Sequence, residues 1–146
     1  MIRNEATVLL ASPPARVFEH LADADKLKGW VGGLVESRLA EPGPLRAGSA
    51  YRQVLLLDGK RETVERRLTE YDPPTVLAFR VRLANLEMEG QFDLEEEGSG
   101  TRLTFVQQTT PHGLAVLAAS LIERRIGDKI RADLDALKRV LERPAA

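Results

Sequence analysis

Apolar and polar residues alternate along most of the first two thirds of the chain, and this period of two predicts strands. Residues 3–11 form the first, with Ala6, Val8 and Leu10 alternating against Glu5, Thr7 and Leu9. Ser12-Pro13-Pro14 then predicts a helix start, with Ser12 as the capping side chain and a proline in the first turn. Val17, Phe18 and Leu21 give that short helix its apolar side, and Leu27 with Trp30 predicts another helical turn before Gly32-Gly33. Residues 34–39 are the next strand. Glu41-Pro42-Gly43-Pro44 is a loop, and Gly48 precedes a strand with Tyr51, Gln53, Leu55 and Leu57 on one face.

Asp58-Gly59 predicts a two-residue hairpin, because both residue types tolerate positive φ. In the strand over 61–71, Thr63, Glu65, Arg67 and Thr69 make one face wholly polar. That face belongs to water, so Val64, Arg66 and Leu68 point inward. After Asp72-Pro73-Pro74, Leu77, Phe79, Val81 and Leu83 alternate with Ala78, Arg80 and Arg82. Ala84-Asn85 is a turn. Met88, Gly90, Phe92 and Leu94 then face inward, as do Leu103, Phe105 and Gln107 after the Gly98-Ser99-Gly100 turn. Beyond Pro111-His112-Gly113 the period changes to that of a helix over 114–142, about 43 Å long, with Pro144 beyond its last turn.

Hairpin-connected strands followed by a long helix predict one α+β domain over 1–146, a curved antiparallel sheet wrapped around the C-terminal helix. On a helical wheel, Val116, Ala119, Glu123, Ile126, Ile130, Leu134, Leu137 and Leu141 share one face. Leu114, Leu117, Ala118, Leu121 and Ile122 fall nearly opposite. Two apolar faces mean either a kink at Gly127 or a second surface for a partner, such as another copy in a homodimer. With the common stripe toward the sheet, Glu123 points inward and can pair with Arg66.

Composition narrows the functions. The 146 residues carry 21 Lys and Arg against 22 Asp and Glu, a net charge of −1, so nucleic-acid binding is not implied. There is no cysteine, which excludes disulfides and thiolate ligands. The two histidines, His20 and His112, lack companions at ligand spacing, so no metal site or cofactor is expected. No Gly-x-Ser-x-Gly elbow is present. No apolar run is long enough to span a membrane, and the N-terminus lacks the features of a signal peptide, so the expected location is cytoplasmic.

Several segments in order resemble the START-like or Bet v 1-like helix-grip superfamily, and within it the bacterial polyketide cyclase/dehydrase and lipid-transport group. They are Ala11-Ser12-Pro13-Pro14-Ala15-Arg16-Val17-Phe18, Leu21 with Trp30, Pro42-Gly43-Pro44-Leu45 with Gly48, Thr69-Glu70-Tyr71-Asp72-Pro73-Pro74 with Leu77 and Phe79, Gly100-Thr101-Arg102-Leu103-Thr104, and Asp133-Leu134 to Leu137-Lys138. The resemblance implies a β-α-α-β6-α layout with a cavity between sheet and C-terminal helix. It also implies a small hydrophobic ligand, lipid- or polyketide-like. It supplies no shared catalytic motif.

The candidate ligand-binding residues follow from the inward positions. Phe79, Met88, Phe92 and Phe105 would supply apolar walls, and Trp30 would lie near a pocket mouth. Tyr51, Gln53, Arg66, Gln107 and Glu123 would supply the few polar groups that orient a ligand. Arg66 is the most informative, because a buried guanidinium requires partners and can hold a carboxylate or enolate oxygen. The same residues also suit a filled core. Three functions therefore stay open: a carrier of a hydrophobic ligand, a cyclase or dehydratase using Arg66, Glu123, Tyr51 or Gln107, and an interaction module without ligand.

Overall fold

The computed structural model describes residues 1–143; Pro144 lies outside them. The chain runs β1 (Ile2–Leu10), α1 (Pro14–Ala22), α2 (Ala24–Leu27), β2 (Leu34–Leu39), β3 (Ala50–Leu57), β4 (Lys60–Asp72), β5 (Val76–Leu83), β6 (Leu86–Glu97) and β7 (Gly100–Pro111). A 3-10 segment (Gly113–Ala118) then leads into α3 (Ala119–Glu142). One seven-stranded sheet has the order β1-β7-β6-β5-β4-β3-β2, with every neighbouring pair antiparallel. The two edges, β1 and β2, are consecutive strands joined through α1 and α2, so the helix pair spans one end of the sheet.

The alternation in the sequence is carried out by the pleat. Val64 and Leu68 are buried while Glu65, Arg67 and Thr69 are exposed. Register shifts by one residue between Leu68 and Glu70 of β4, which lets that strand follow the bend of the sheet. Asp58 (φ 50°) and Gly59 (φ 80°) form the β3–β4 turn with both central residues left-handed, as their types allow.

On the concave side, α3 packs against β1 and places Ile130, Leu134, Leu137 and Leu141 in the core with Val17, Phe18 and Leu103. Each such side chain contributes about 1.5–3 kcal/mol by leaving water. Asn4 of β1 donates through Nδ2 to the Glu123 carbonyl at 3.2 Å, beside buried Gly127. A Cβ on Gly127 would come within 3.1 Å of that Asn4 nitrogen, so the glycine allows the helix to approach the strand. It does not end α3, which runs unbroken across it.

Two local expectations are corrected. Ser12 does not cap α1: the N-cap is Pro13 with no side-chain bond, and Pro14 fills the first helical position. Ser12 instead accepts from Arg16 Nη1 at 2.9 Å, and its carbonyl accepts from Thr101 Oγ1 at 2.8 Å, tying α1 to β7. Nor is 114–142 one α-helix. The first residues form a 3-10 turn after Gly113 (φ 60°), which changes the angular spacing from that of the wheel. The second apolar group is therefore divided, with Leu114, Leu117 and Ala118 in the 3-10 segment and Leu121 and Ile122 in the first turn of α3.

Gly90 has a defined task in the inner layer. A Cβ there would lie 2.4 Å from Phe79 Cζ and 2.9 Å from Phe105 Cε1. Gly90→Ala is expected to displace the Phe79 ring and lower stability by about 1–3 kcal/mol, as overpacking does. Urea unfolding of the variant checks this; an unchanged midpoint would mean the rings adjust freely.

Candidate functional site

A cavity of about 190 Å3 lies between the concave sheet and α3. Its aromatic wall comes from adjacent strands. Phe79 on β5, Phe92 on β6 and Phe105 on β7 face inward, with Phe79 and Phe105 stacked at 6.1 Å and Phe92 against Phe105 at 4.4 Å between centroids. Trp30, from the turn after α2, meets Phe92 edge-on at 6.2 Å. Its Nε1 donates to the His20 carbonyl at 3.0 Å, which fixes the indole while leaving its ring on the cavity. Met88, Leu57, Leu83 and Leu86 line the sheet side near the hairpins, and Ile126, Ile130 and Leu134 line the helix side.

Polar groups on this apolar lining are few. Arg66 reaches inward from β4, diagonal to Phe79, because Arg66 pairs with Val81 and Leu68 with Phe79. Its guanidinium carbon stands 4.1 Å from the Phe79 ring centroid, a cation–π contact. Arg66 Nε is buried with no hydrogen-bond partner among the described residues. Burial pushes the guanidinium down to about 10, opposed by the nearby Tyr51 and Asp133. It remains a cation at neutral pH, and its burial is incompletely compensated.

Asp133 on α3 was not anticipated at the site. Its Oδ1 accepts from the Gly32 backbone N–H at 2.9 Å and its Oδ2 from Lys129 Nζ at 2.5 Å. The carboxylate thus ties α3 to the turn that carries Trp30, on the rim of the cavity. Gln107 Nε2 makes only long contacts, 3.5 Å to Met88 Sδ and 3.4 Å to Thr109 Oγ1, so its amide is weakly engaged.

Seven of the residues singled out from sequence therefore surround one space: Trp30, Arg66, Phe79, Met88, Phe92, Phe105 and Gln107. The other three do not. Tyr51 is buried outside the cavity lining, its hydroxyl donating to the Ala22 carbonyl at 2.7 Å under the α1–α2 corner, and desolvation raises its pKa. Gln53 is buried toward the β2 edge, with Nε2 donating to Ser37 Oγ at 3.2 Å. Glu123 is exposed, so the expected pairing with Arg66 is not formed. Asn4 of β1 holds the Glu123 carbonyl while the Glu123 side chain stays in solvent, where its charge keeps full hydration.

A larger groove, about 740 Å3, runs along the 40–50 loop beside Arg46, Arg52, Glu65 and Arg67. Its walls are charged and none of the aromatic cluster reaches it. Among the described residues there is no cluster of three potential metal-ligating side chains, and no helix is long and apolar enough to cross a membrane.

Solved structures share the whole architecture. TTHA0849 from Thermus thermophilus superposes with a TM-score of 0.76 at 20% identity, over 95% of this chain and 96% of that one. Ara h 8.0201 gives 0.76 at 18% identity, over 95% and 96%. The di-domain ARO/CYC StfQ from the steffimycin biosynthetic pathway gives 0.81 at 15% identity, over 97% of this chain and 51% of that one. At these identities the likeness establishes the Bet v 1-like helix-grip fold. A comparison with curated proteins gave no match. The family model described as polyketide cyclase / dehydrase and lipid transport matches residues 1–142, and the chain belongs to that family.

Proposed function

We propose that this protein binds a small, largely apolar molecule carrying one anionic or enolate oxygen, seated between the sheet and α3. The observation that carries the proposal is Arg66: a half-buried side chain whose buried Nε has no partner among the described residues, over a phenylalanine face, at the edge of an apolar space. Buried polar groups are nearly always paired, and a ligand oxygen would supply the missing partner with a charge-assisted bond. Trp30, Phe92 and Phe105 would hold the apolar body, and the amide of Gln107 offers a second polar contact.

Size restricts the class. A cavity of about 190 Å3 is below the roughly 300–1,000 Å3 of drug-sized pockets and somewhat above the roughly 150 Å3 that accommodates benzene. A one- or two-ring aromatic acid or a short cyclised polyketide fits that range. A diacyl lipid would need the helix to move outward.

Binding is favoured over catalysis by the lining itself. A cyclase or dehydratase needs a positioned group to take or give a proton. Of the lining carboxylates and amines, Asp133 has both oxygens engaged, by Gly32 and by Lys129. The test is to denature freshly purified protein and identify released small molecules by mass spectrometry. A stoichiometric aromatic or polyketide-like acid is expected. Recovery of only long-chain neutral lipid, or of nothing together with no binding of added aromatic acids, would overturn the reading.

A further inference from the structure

At one end of the molecule the chain exposes apolar side chains that no element of the fold uses. From Gly113 to Ile122 it contains no Asp, Glu, Lys or Arg. The 3-10 segment buries none of its residues, and Leu114 and Leu117 are 82% and 86% exposed. Val116 and Leu121 are also largely exposed. Surface leucines occurring singly are ordinary, but a contiguous group that stands clear of the core marks an interaction site.

Its place in the fold is defined. Pro111 pairs with Leu86, and the His112 N–H donates to the Asn85 carbonyl at 2.7 Å, so the segment leaves the sheet beside the β5–β6 hairpin. Leu83 and Leu86 of that hairpin line the cavity, as does Ile126 from the following turns of α3. The tip therefore stands next to that end of the cavity. Arg124 and Arg125 follow it on exposed positions and form no ion pair among the described residues, whereas Lys129 and Arg131 are paired with Asp133 and Asp128.

We infer that the Leu114–Leu121 tip, with Arg124 and Arg125 behind it, docks on an anionic lipid surface. A second copy of the chain suits it less well: a stable dimer needs about 800 Å2 per partner, and four projecting side chains on a narrow segment cover only part of that. Insertion of leucines into the interface between headgroups and acyl chains needs no complementary protein surface, and Arg124 and Arg125 outweigh the exposed Glu123 beside them, leaving a net positive charge for phosphatidylserine or phosphatidylglycerol. Docking this end would place the cavity beside the membrane, where apolar molecules partition. The inference goes beyond the ligand-binding proposal and stands without it, since vesicles can be bound with the cavity empty.

The experiment is sedimentation with phosphatidylcholine vesicles, with and without about one fifth phosphatidylserine, alongside light scattering of the lipid-free protein. Wild type is expected to sediment with the anionic vesicles. The Leu114→Glu/Leu117→Glu double variant, altered only at exposed positions and expected to melt like wild type, should lose at least about tenfold in affinity. Arg124→Ala/Arg125→Ala should weaken binding to the anionic vesicles only. Absence of sedimentation, sedimentation unaffected by the leucine substitutions, or a lipid-free dimer that those substitutions dissociate would each overturn the inference.

Discussion

Arg66→Met is expected to keep the fold and lose most of the affinity for an aromatic carboxylate. Methionine replaces the apolar stem of the side chain and ends about where Nε lies, and its polarizable thioether can still contact Phe79, over which the guanidinium carbon stands 4.1 Å from the ring centroid. It removes a cation whose burial is uncompensated at Nε. Replacing buried charge by a well-packed apolar group is commonly neutral or stabilising, so stability at pH 7 should be unchanged or higher by about 1 kcal/mol. Binding should fall roughly 10- to 150-fold, the loss of about 1.5–3 kcal/mol expected for a hydrogen bond to a charged group. Calorimetric titration with salicylate and thermal melts of both proteins check the two halves. A strongly destabilised variant would show that Arg66 is a structural residue instead.

The pH dependence follows from the same group. The folded guanidinium is held at about 10, well below its ordinary value. Between those values the native state binds fewer protons than the unfolded one, so this group's contribution to stability rises with pH. Its destabilising effect is present in full below about pH 10, and any stability advantage of Arg66→Met should be seen throughout the neutral range.

Gly100→Ala is expected to be the most damaging single-atom addition in the sheet. Gly100 opens β7 opposite the end of β1, and a Cβ there would lie 2.1 Å from the Leu10 carbonyl oxygen and 3.3 Å from Ala11 Cα. Both are backbone atoms, so no rotamer change relieves the overlap. The strand ends must separate, at the point where the Thr101 hydroxyl also ties β7 to the Ser12 carbonyl. A loss of about 3 kcal/mol or more is expected, at the upper end of the range for overpacking. Denaturant unfolding measures it; a change within about 0.5 kcal/mol, as at an ordinary surface position, would contradict the geometry.

Much of the architecture was readable because strand alternation is a local property. Arg66 illustrates it: the opposite face of β4 was wholly polar, which left only the inner face for Arg66. Phe79, Met88, Phe92 and Phe105 followed from the same period. What was missed depends on contacts distant in sequence. Tyr51 is drawn from the cavity by the carbonyl of Ala22, and Asp133 is brought to its rim by the N–H of Gly32. Neither partner is marked by local pattern. Glu123 failed for another reason. The wheel gives a residue's angle around the axis but not how far along it the sheet extends, nor where a 3-10 turn replaces the first residues of the helix.

The central claim is that the space beneath α3 receives a ligand held by Arg66. Methyl-resolved NMR during titration with salicylate tests it most directly. Shifts should concentrate on Leu57, Leu83, Leu86, Ile130 and Leu134, saturate together, and vanish in Arg66→Met. Shifts scattered over the outer face of the sheet, or none at saturating ligand, would contradict the account.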